Sequence, residues 1–472
     1  MSRTGIVFDE RFLSHLTGKG HPESPERLAA IRTELTERDL WSRCVPIPVR
    51  AATREELGRF HTPAYLDEVR REGEAAAPIA GALPTYEVAA LAAGGMIEAV
   101  DALMAGAVDR ALALVRPPGH HAGHDRGHGF CVFNNVVLAA LHALAVHGLE
   151  RILVVDWDIH HGDGTQQAFY DSDRVLFFSV HRENLFPATG ATEEIGCGPG
   201  TGYTINVNLE HGFGNGMYEA IFSKILEPVL WRYKPQLILV SAGFDAYYLD
   251  ELGLMKVTSE GYVRLAARLL RLADKLDHGR VLFCLEGGYH VRGLARSVRY
   301  LIEACLDSRS ALNLLLREPE AFAPVLERVQ AALGRHWPGL GRDHRLSGLA
   351  GYLWDGNPFV AEDLSLATRA DSHEGGHWVE ARLGGAVVGR AKLGHRDGAV
   401  VVKFITTHDE VKYKGVARRI VRYLQQQHPS VIAQGVKYQA RGFWSRLGFE
   451  PVAMSKDYRW RRSERAAASP GS

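Results

Sequence analysis

The 472-residue chain carries no excess of either charge: Lys plus Arg and Asp plus Glu both number 55. A basic nucleic-acid binder shows such a bias, so direct nucleic-acid binding is not expected. Cysteine is scarce and scattered. Cys44, Cys131, Cys197, Cys284 and Cys305 are odd in number and form no CxxC pair. That excludes a disulfide framework and a thiolate zinc site, and fits a reducing, cytoplasmic setting. No run of eighteen apolar residues occurs, because charges or glycines interrupt every candidate, so no membrane span is expected. The N-terminus, MSRTGIVFDERFLSHL, lacks the basic-then-apolar pattern of a signal peptide. Internal repeats are also missing.

What is present is an ordinary globular composition, 46% hydrophobic and 23% charged, with 22 histidines as the unusual count. The length suits one large domain plus a smaller one, at about 100–200 residues per domain. Up to residue 305, short apolar runs alternate with helical patterns. Strands are expected at Thr4–Phe8, Ala111–Val115, Ile152–Val155, Val175–Val180, Leu237–Ser241 and Val281–Leu285. Their continuous β-branched and Leu character suits a parallel sheet buried on both faces. Helices are expected at Pro25–Leu35, with Ser24 as cap, and at Val88–Met104, Val136–Val146, Met217–Trp231 and Glu260–Leu276. This order implies a doubly wound α/β domain. Further helix fills 310–340, which places the first domain at 1–340.

Residues 341–375, rich in Gly, Asp, Ser and Pro, read as a boundary. Beyond it the pattern becomes α+β over 376–458. Two strands flank a Gly384-Gly385 hairpin turn, followed by a strand at Ala399–Thr406, a helix at Gly415–Gln427, a strand at Val431–Val436 and a helix near Ala440–Leu447. The end, 459–472, reads as a disordered tail.

Chemistry concentrates in ILVVDWDIHHGDG. The apolar run ends in Asp156, Asp158 and His160, which lie two apart along the strand and so point the same way. Asp and His suit a borderline divalent cation such as Zn²⁺. Three other buried runs end in Asp245, in Tyr289 and in His120 with His121. In open α/β sheets ligands bind outside the carboxyl ends of the strands, so these groups converge on one edge. Singly, each reads as a turn or a surface pair. Together they would bury several ionisable groups at a cost of several kcal/mol, which a metal offsets.

Eight stretches run in one order through the first 310 residues: HPESPERL (21–28), RPPGHHAG (116–123), GFCVFNN (129–135), VDWDIHHGDGT (155–165), SVH (179–181), FPATG (186–190), SAGFDA (241–246) and LEGGY (285–289). In these the chain resembles the histone deacetylase superfamily, with its arginase-like fold. The nearer likeness is to the class II and bacterial branch that includes acetylpolyamine amidohydrolases. The resemblance implies a zinc-dependent amidohydrolase acting on acetyl-lysine in proteins, or alternatively on acetylated polyamines. It implies Asp158, His160 and Asp245 as zinc ligands, His121 as general base and acid with Asp163 as partner, His120 paired with Asp156, and Tyr289 as oxyanion donor. It also implies potassium at Asp156, Asp158, His160, Ser179 and Val180, and at a second site near Phe169, Ser172 and Val175. Phe130 and Phe186 would wall an acyl-lysine tunnel lined by Gly129. By periodicity alone the two phenylalanines read as core. Polyamine-selective relatives of one branch carry Glu seven positions after the metal Asp, where this chain has Leu252. Asp250, Glu251 and Glu183 offer negative charge nearby. The remaining histidines, 124, 128, 161, 181 and 290, read as structural or exposed.

Residues 377–455 more weakly resemble a GNAT-type N-acetyltransferase. Lys412-x-x-Gly415-x-Ala417 approximates that family's acyl-CoA loop, although the family places Arg or Gln first. Backbone N–H groups at a helix start suit a pyrophosphate. In ARGFWSRLGFEPV, Trp444 stands where that family has the Tyr acid. The resemblance implies acetyl-CoA as a ligand and a bifunctional enzyme as a further alternative.

Overall fold

The long apolar runs of the first 305 residues become strands of one parallel sheet. The computed structural model describes residues 2–75, 83–276, 278–307, 319–341, 365–370, 377–383, 386–407, 416–435, 441–452 and 455–461. Residue contacts divide the chain into two compact units, Met1–Arg342 and Asp343–Ser472.

The first unit contains β1 (Thr4–Val7), β2 (Val45–Ile47), β3 (Arg110–Ala113), β4 (Ile152–Asp156), β5 (Val175–Arg182), β6 (Thr204–Leu209), β7 (Leu237–Ala242) and β8 (Val281–Leu285). They form one sheet in the order β2-β1-β3-β8-β7-β4-β5-β6, and every pairing is parallel. Residues of β4, β7 and β8 are buried throughout, because helices cover both faces of the sheet. The two strands without an expected counterpart, β2 and β6, are the two edges. Their sequences explain this. Val45-Pro46-Ile47 contains a proline, tolerated at an edge, and TINVNL alternates instead of running apolar.

Helices follow the expected positions with shifted ends. The first begins at Glu26, not at Pro25, and lacks a side-chain cap, so Ser24 does not serve as one. The stretch expected as one helix at Met217–Trp231 spans Asn215–Tyr233 and is interrupted by a π-helical turn at Phe222–Leu226. Pro228 accounts for the interruption. It has no N–H to donate to the Lys224 carbonyl, which instead accepts the Gly341 amide at 2.7 Å. The 310–340 helix is seen at Phe322–Leu333, and 308–318 lie outside the described residues.

The second unit holds β9 (Ser365–Ala370), β10 (His377–Leu383), β11 (Ala386–Arg396), β12 (Ala399–Thr407), β13 (Ser430–Ala433), β14 (Glu450–Pro451) and β15 (Tyr458–Arg461). Their order is β14-β15-β13-β12-β11-β10-β9, antiparallel except for the β12–β13 pair. The segment expected as boundary at 341–375 thus includes a strand. The segment expected as tail from 459 likewise begins inside β15, held by pairing with β13. Val379, Ala381, Ala391, Leu393, Val400 and Val402 alternate inward to meet Ile420, Val421 and Leu424 of helix Val416–Gln427. Gly384, Gly385, Lys412 and Gly415 lie outside the described residues. Ala417 is the second residue of that helix.

Candidate metal centre and active site

The polar groups of the first unit gather beyond the carboxyl ends of β3, β4, β5, β7 and β8. Loops, rather than the strands themselves, complete the delivery. Strand β4 stops at Asp156, so Asp158 and His160 are not continued strand residues on one face, as alternation predicts. Backbone amides bend this loop onto its own acids. Asp158 N donates to Asp156 Oδ1 (3.1 Å), His160 N to Asp158 Oδ1 (2.9 Å) and Ile159 N to Asp245 Oδ1 (2.9 Å). Asp245 stands three residues past β7, and Tyr289 four past β8.

Two clusters result. In one, His160 Nδ1 lies 3.0 Å from both Asp158 Oδ1 and Asp245 Oδ2. The three ligand atoms fall within 4.8 Å of one another. Both carboxylates are fully buried. Burial and the charge of Asp158 push the Asp245 carboxyl up to about 7. Gly287 permits the approach: a Cβ there would strike both carboxylates, and its N–H donates to Asp158 Oδ2 at 2.9 Å. Two buried carboxylates facing one imidazole nitrogen fit a divalent cation, and their N/O character fits Zn²⁺.

In the other cluster, Asp156 does not join these three. It takes His120 Nδ1 at 3.0 Å, and His121 Nδ1 pairs with Asp163 Oδ1 at 2.8 Å. The two imidazoles, 4.0 Å apart between ring centroids, are driven in opposite directions. Burial lowers both, but the charges of Asp156 and Asp158 raise His120 well above the usual histidine range. His121 is lowered to about 3 by burial and by the charge on His120. Burial raises the Tyr289 hydroxyl, as do the Asp245 and Asp158 charges.

Aromatic walls stand over this pair. Phe186 meets His121 edge-on at 5.1 Å, and Phe130 meets Tyr289 edge-on at 6.0 Å. Both are exposed, at 46% and 40%, so they are not the core residues periodicity suggests. Gly129 sits between them at φ +56°, where a Cβ would run into the His121 and Phe186 rings. Leu252 is exposed on the loop after Asp245. Ser179 is the cross-strand partner of Asp156, and Val180 follows it in β5. Val175 opens the same strand, while Phe169 ends helix Asp163–Phe169 and its carbonyl accepts Ser172 N at 3.1 Å.

His128, which sequence reasoning set aside, and several motif residues to which it gave no role take part. His128 Nε2 lies 2.9 Å from Asp163 Oδ2, so Asp163 serves two imidazoles. Its position next to Gly129 was the available signal. Glu286 Oε2 accepts the amides of Gly119 and His120 at 2.7 and 3.2 Å. Below them lies a wholly buried ion network. Arg116 and Arg27 both bond Glu23, and Arg27 continues to the Glu286 and Gly288 carbonyls at 2.6 and 2.8 Å. The guanidinium of Arg27 also sits 5.3 Å from the centre of the Tyr289 ring. Thus HPESPERL, RPPG and LEGG form the floor on which the site residues stand.

Comparison with known proteins agrees with this geometry. Residues 21–305 match the model of the histone deacetylase domain. The chain belongs to the histone deacetylase family. It is 38% identical over 330 residues to a probable deacetylase of Archaeoglobus fulgidus, covering 68% of this chain and 91% of that protein. It is 40% identical over 336 residues to the human polyamine deacetylase HDAC10, covering 67% of this chain and only half of the relative. A crystal structure of the HDA15 HD domain superimposes with a TM-score of 0.67 at 36% identity, covering 72% of this chain and 98% of that one. As a member of this histone deacetylase family the protein is a zinc-dependent hydrolytic deacetylase. The matched domain lies within the first unit. No helix among the described residues is long and apolar enough to cross a membrane.

Proposed function

We propose that the first unit removes acetyl groups from lysine side chains of proteins, with Asp158, His160 and Asp245 holding the zinc. The observation that carries this is the cluster of those three residues beside the His121–Asp163 pair and Tyr289, walled by Phe130 and Phe186. When bound, Zn²⁺ supplies polarisation of the amide carbonyl and acidifies water. The remaining work falls to the chain. Asp163 accepts the Nδ1 proton of His121, leaving Nε2 unprotonated toward the cluster. The neutral His121 takes the proton of the attacking water at Nε2 and then returns it to the leaving amine. His120, held charged by Asp156, adds positive potential beside it. Tyr289 keeps its proton and donates it as a hydrogen bond to the developing oxyanion. Phe130 and Phe186 exclude water and grip a slender aliphatic stem.

Leu252 supports a protein substrate, since an exposed leucine at the rim offers no carboxylate to a polyamine. The 40% identity to a polyamine deacetylase favours the second reading, an acetylated polyamine. Comparing kcat/KM for an acetyl-lysine peptide and an acetylated polyamine on zinc-loaded protein decides between them. A polyamine preference overturns the first reading.

Potassium would lie at Asp156, Asp158, His160, Ser179 and Val180, and near Phe169, Ser172 and Val175. The cross-strand pairing of Asp156 with Ser179 supports the first of these. Exchange of K⁺ for Na⁺ with no change in kcat or melting temperature overturns both. For the second unit we hold to a GNAT-like fold that binds acetyl-CoA through Lys412, Gly415 and Ala417. Its mixed sheet, with one parallel pair and a helix leading into β13, supports the reading. Trp444 is buried against Phe443 and Phe449, which makes it a packing residue and argues against group transfer through that position. Binding of acetyl-CoA to wild type and its loss in Gly415→Glu test it. A cytoplasmic location is the reading that the scattered cysteines support.

A further inference from the structure

Tyr289 follows Gly287 and Gly288, the latter at φ +113°, so the preceding chain does not by itself fix where the phenol points. Besides Arg27, which bonds the Gly288 carbonyl at 2.8 Å, one further buried side chain holds this segment. Asp250, 4% exposed, lies five residues past Asp245 and turns its carboxylate onto the segment carrying the tyrosine. Its Oδ2 accepts the amide of Tyr289 at 2.6 Å and that of His290 at 3.0 Å. Its Oδ1 accepts the amide of Leu252 at 3.1 Å. The Tyr247 ring stacks on His290, 5.5 Å between centroids, and clamps the same junction. The loop so tied presents Tyr248, Leu249, Leu252 and Leu254 as exposed apolar side chains. A single carboxylate therefore spans two structures, the amide of the oxyanion donor and the loop that forms an apolar rim.

We infer that Asp250 is the positioning residue for Tyr289, setting its hydroxyl for transition-state stabilisation and coupling that placement to the rim loop. The inference rests on the deacetylase reading of Tyr289 above. The Asp250 carboxylate bonds the amides of Leu252, Tyr289 and His290 rather than the three proposed zinc ligands, so it acts through the tyrosine. A tyrosine displaced by about 1 Å forfeits roughly 10²-fold in rate.

The test is a double-mutant cycle on the full zinc-loaded chain, with Asp250→Asn, Tyr289→Phe and the pair, assayed on an acetyl-lysine peptide. Asp250→Asn keeps one acceptor oxygen and the shape, so it tolerates folding better than Asp250→Ala, and zinc content and melting temperature are recorded for each. The expected result is a kcat lowered about 10–10²-fold in Asp250→Asn with KM little changed, and no further loss when Asp250→Asn is added to Tyr289→Phe. Losses that multiply in the pair overturn the inference, because Asp250 would then act independently of the phenol. An unchanged kcat in Asp250→Asn, beside a large loss in Tyr289→Phe, also overturns it while leaving the deacetylase reading standing. A Tyr289→Phe variant as active as wild type overturns that reading, and the inference with it.

Discussion

The two units place their buried charge differently. In the first, buried ionisable groups concentrate at and beyond the carboxyl ends of four parallel strands: Asp156, Asp158, Asp245, Glu286, His120 and His121 are all at most 3% exposed. In the second, Glu380 and Asp457 are the buried acids among the described residues, and both pair with arginines, Glu380 with Arg382 and Arg390 and Asp457 with Arg396. The difference is topological. Parallel strands end together at one edge, and the following loops all emerge there, so acids and histidines from distant parts of the sequence meet. An antiparallel sheet sends successive strand ends to opposite edges, so its buried positions fill with alternating apolar residues. Costly buried charge is a mark of function in the first unit, whereas the buried tryptophan of the second is a mark of packing.

Predictions that sharpen this contrast run from the largest effect downward. Asp158→Ala removes a carboxylate from the cluster at the end of β4, and both zinc content and deacetylation should fall to background. Retained zinc would show that the three residues are not the ligands. Trp444→Ala should destabilise the second unit by about 3–5 kcal/mol, as for other large aromatic truncations, and leave deacetylation unchanged. A matching loss of deacetylase activity, seen alongside calorimetry, would break the separation of the two units. Tyr289→Phe should lower kcat by about 10²–10³-fold with little change in KM, measured at saturating peptide.

A smaller effect concerns pH. His61 is buried with Nδ1 donating to the Gly123 carbonyl (2.9 Å) and Nε2 accepting the Asn134 amide (3.0 Å). Burial lowers its pKa to about 4. The unfolded chain binds that proton near 6.5 and the folded one does not, so unfolding free energy falls as pH drops from about 6.5 to 4. The slope is about 1.4 kcal/mol per pH unit for one such group. Chemical denaturation of His61→Gln across that range should show a shallower slope; an identical slope would exclude His61 as the source. Smallest of all, Leu252→Glu should raise kcat/KM for an acetylated polyamine relative to the peptide by about fivefold, the equivalent of one exposed ion pair of about 1 kcal/mol. No shift would place the selectivity of the mouth elsewhere.

The six interior strands of the first sheet were legible because a strand buried on both faces must be apolar throughout. The edge strands Val45–Ile47 and Thr204–Leu209 were not, since one side meets water or loop and the apolar signal weakens. In the second unit β9 was hidden in a segment whose Gly, Asp and Pro content resembles a linker, and β15 in an arginine-rich end. The metal trio was legible as residue types at the ends of apolar runs and in the motifs that carry the family likeness. The family likeness also grouped it and assigned Asp156 to His120; alternation alone did not. Alternation predicts Asp156 beside Asp158 and His160, but the chain leaves extended geometry after Asp156, and the bend sends Asp156 to His120 instead.

Sequence alone determined the residue inventory: a parallel α/β frame, a set of acids and imidazoles at its strand ends, and a charge balance and cysteine pattern that pointed away from nucleic acid and disulfides. These follow from local rules, because periodicity, residue chemistry and motif order act over short stretches of chain. The tertiary structure alone decided that His128 shares Asp163, that Glu286 carries the His120 loop, and that Asp250 holds Tyr289. Those contacts join residues tens to more than a hundred positions apart. They depend on how loops fold back over the sheet edge to satisfy buried amides and carboxylates, which no local pattern encodes.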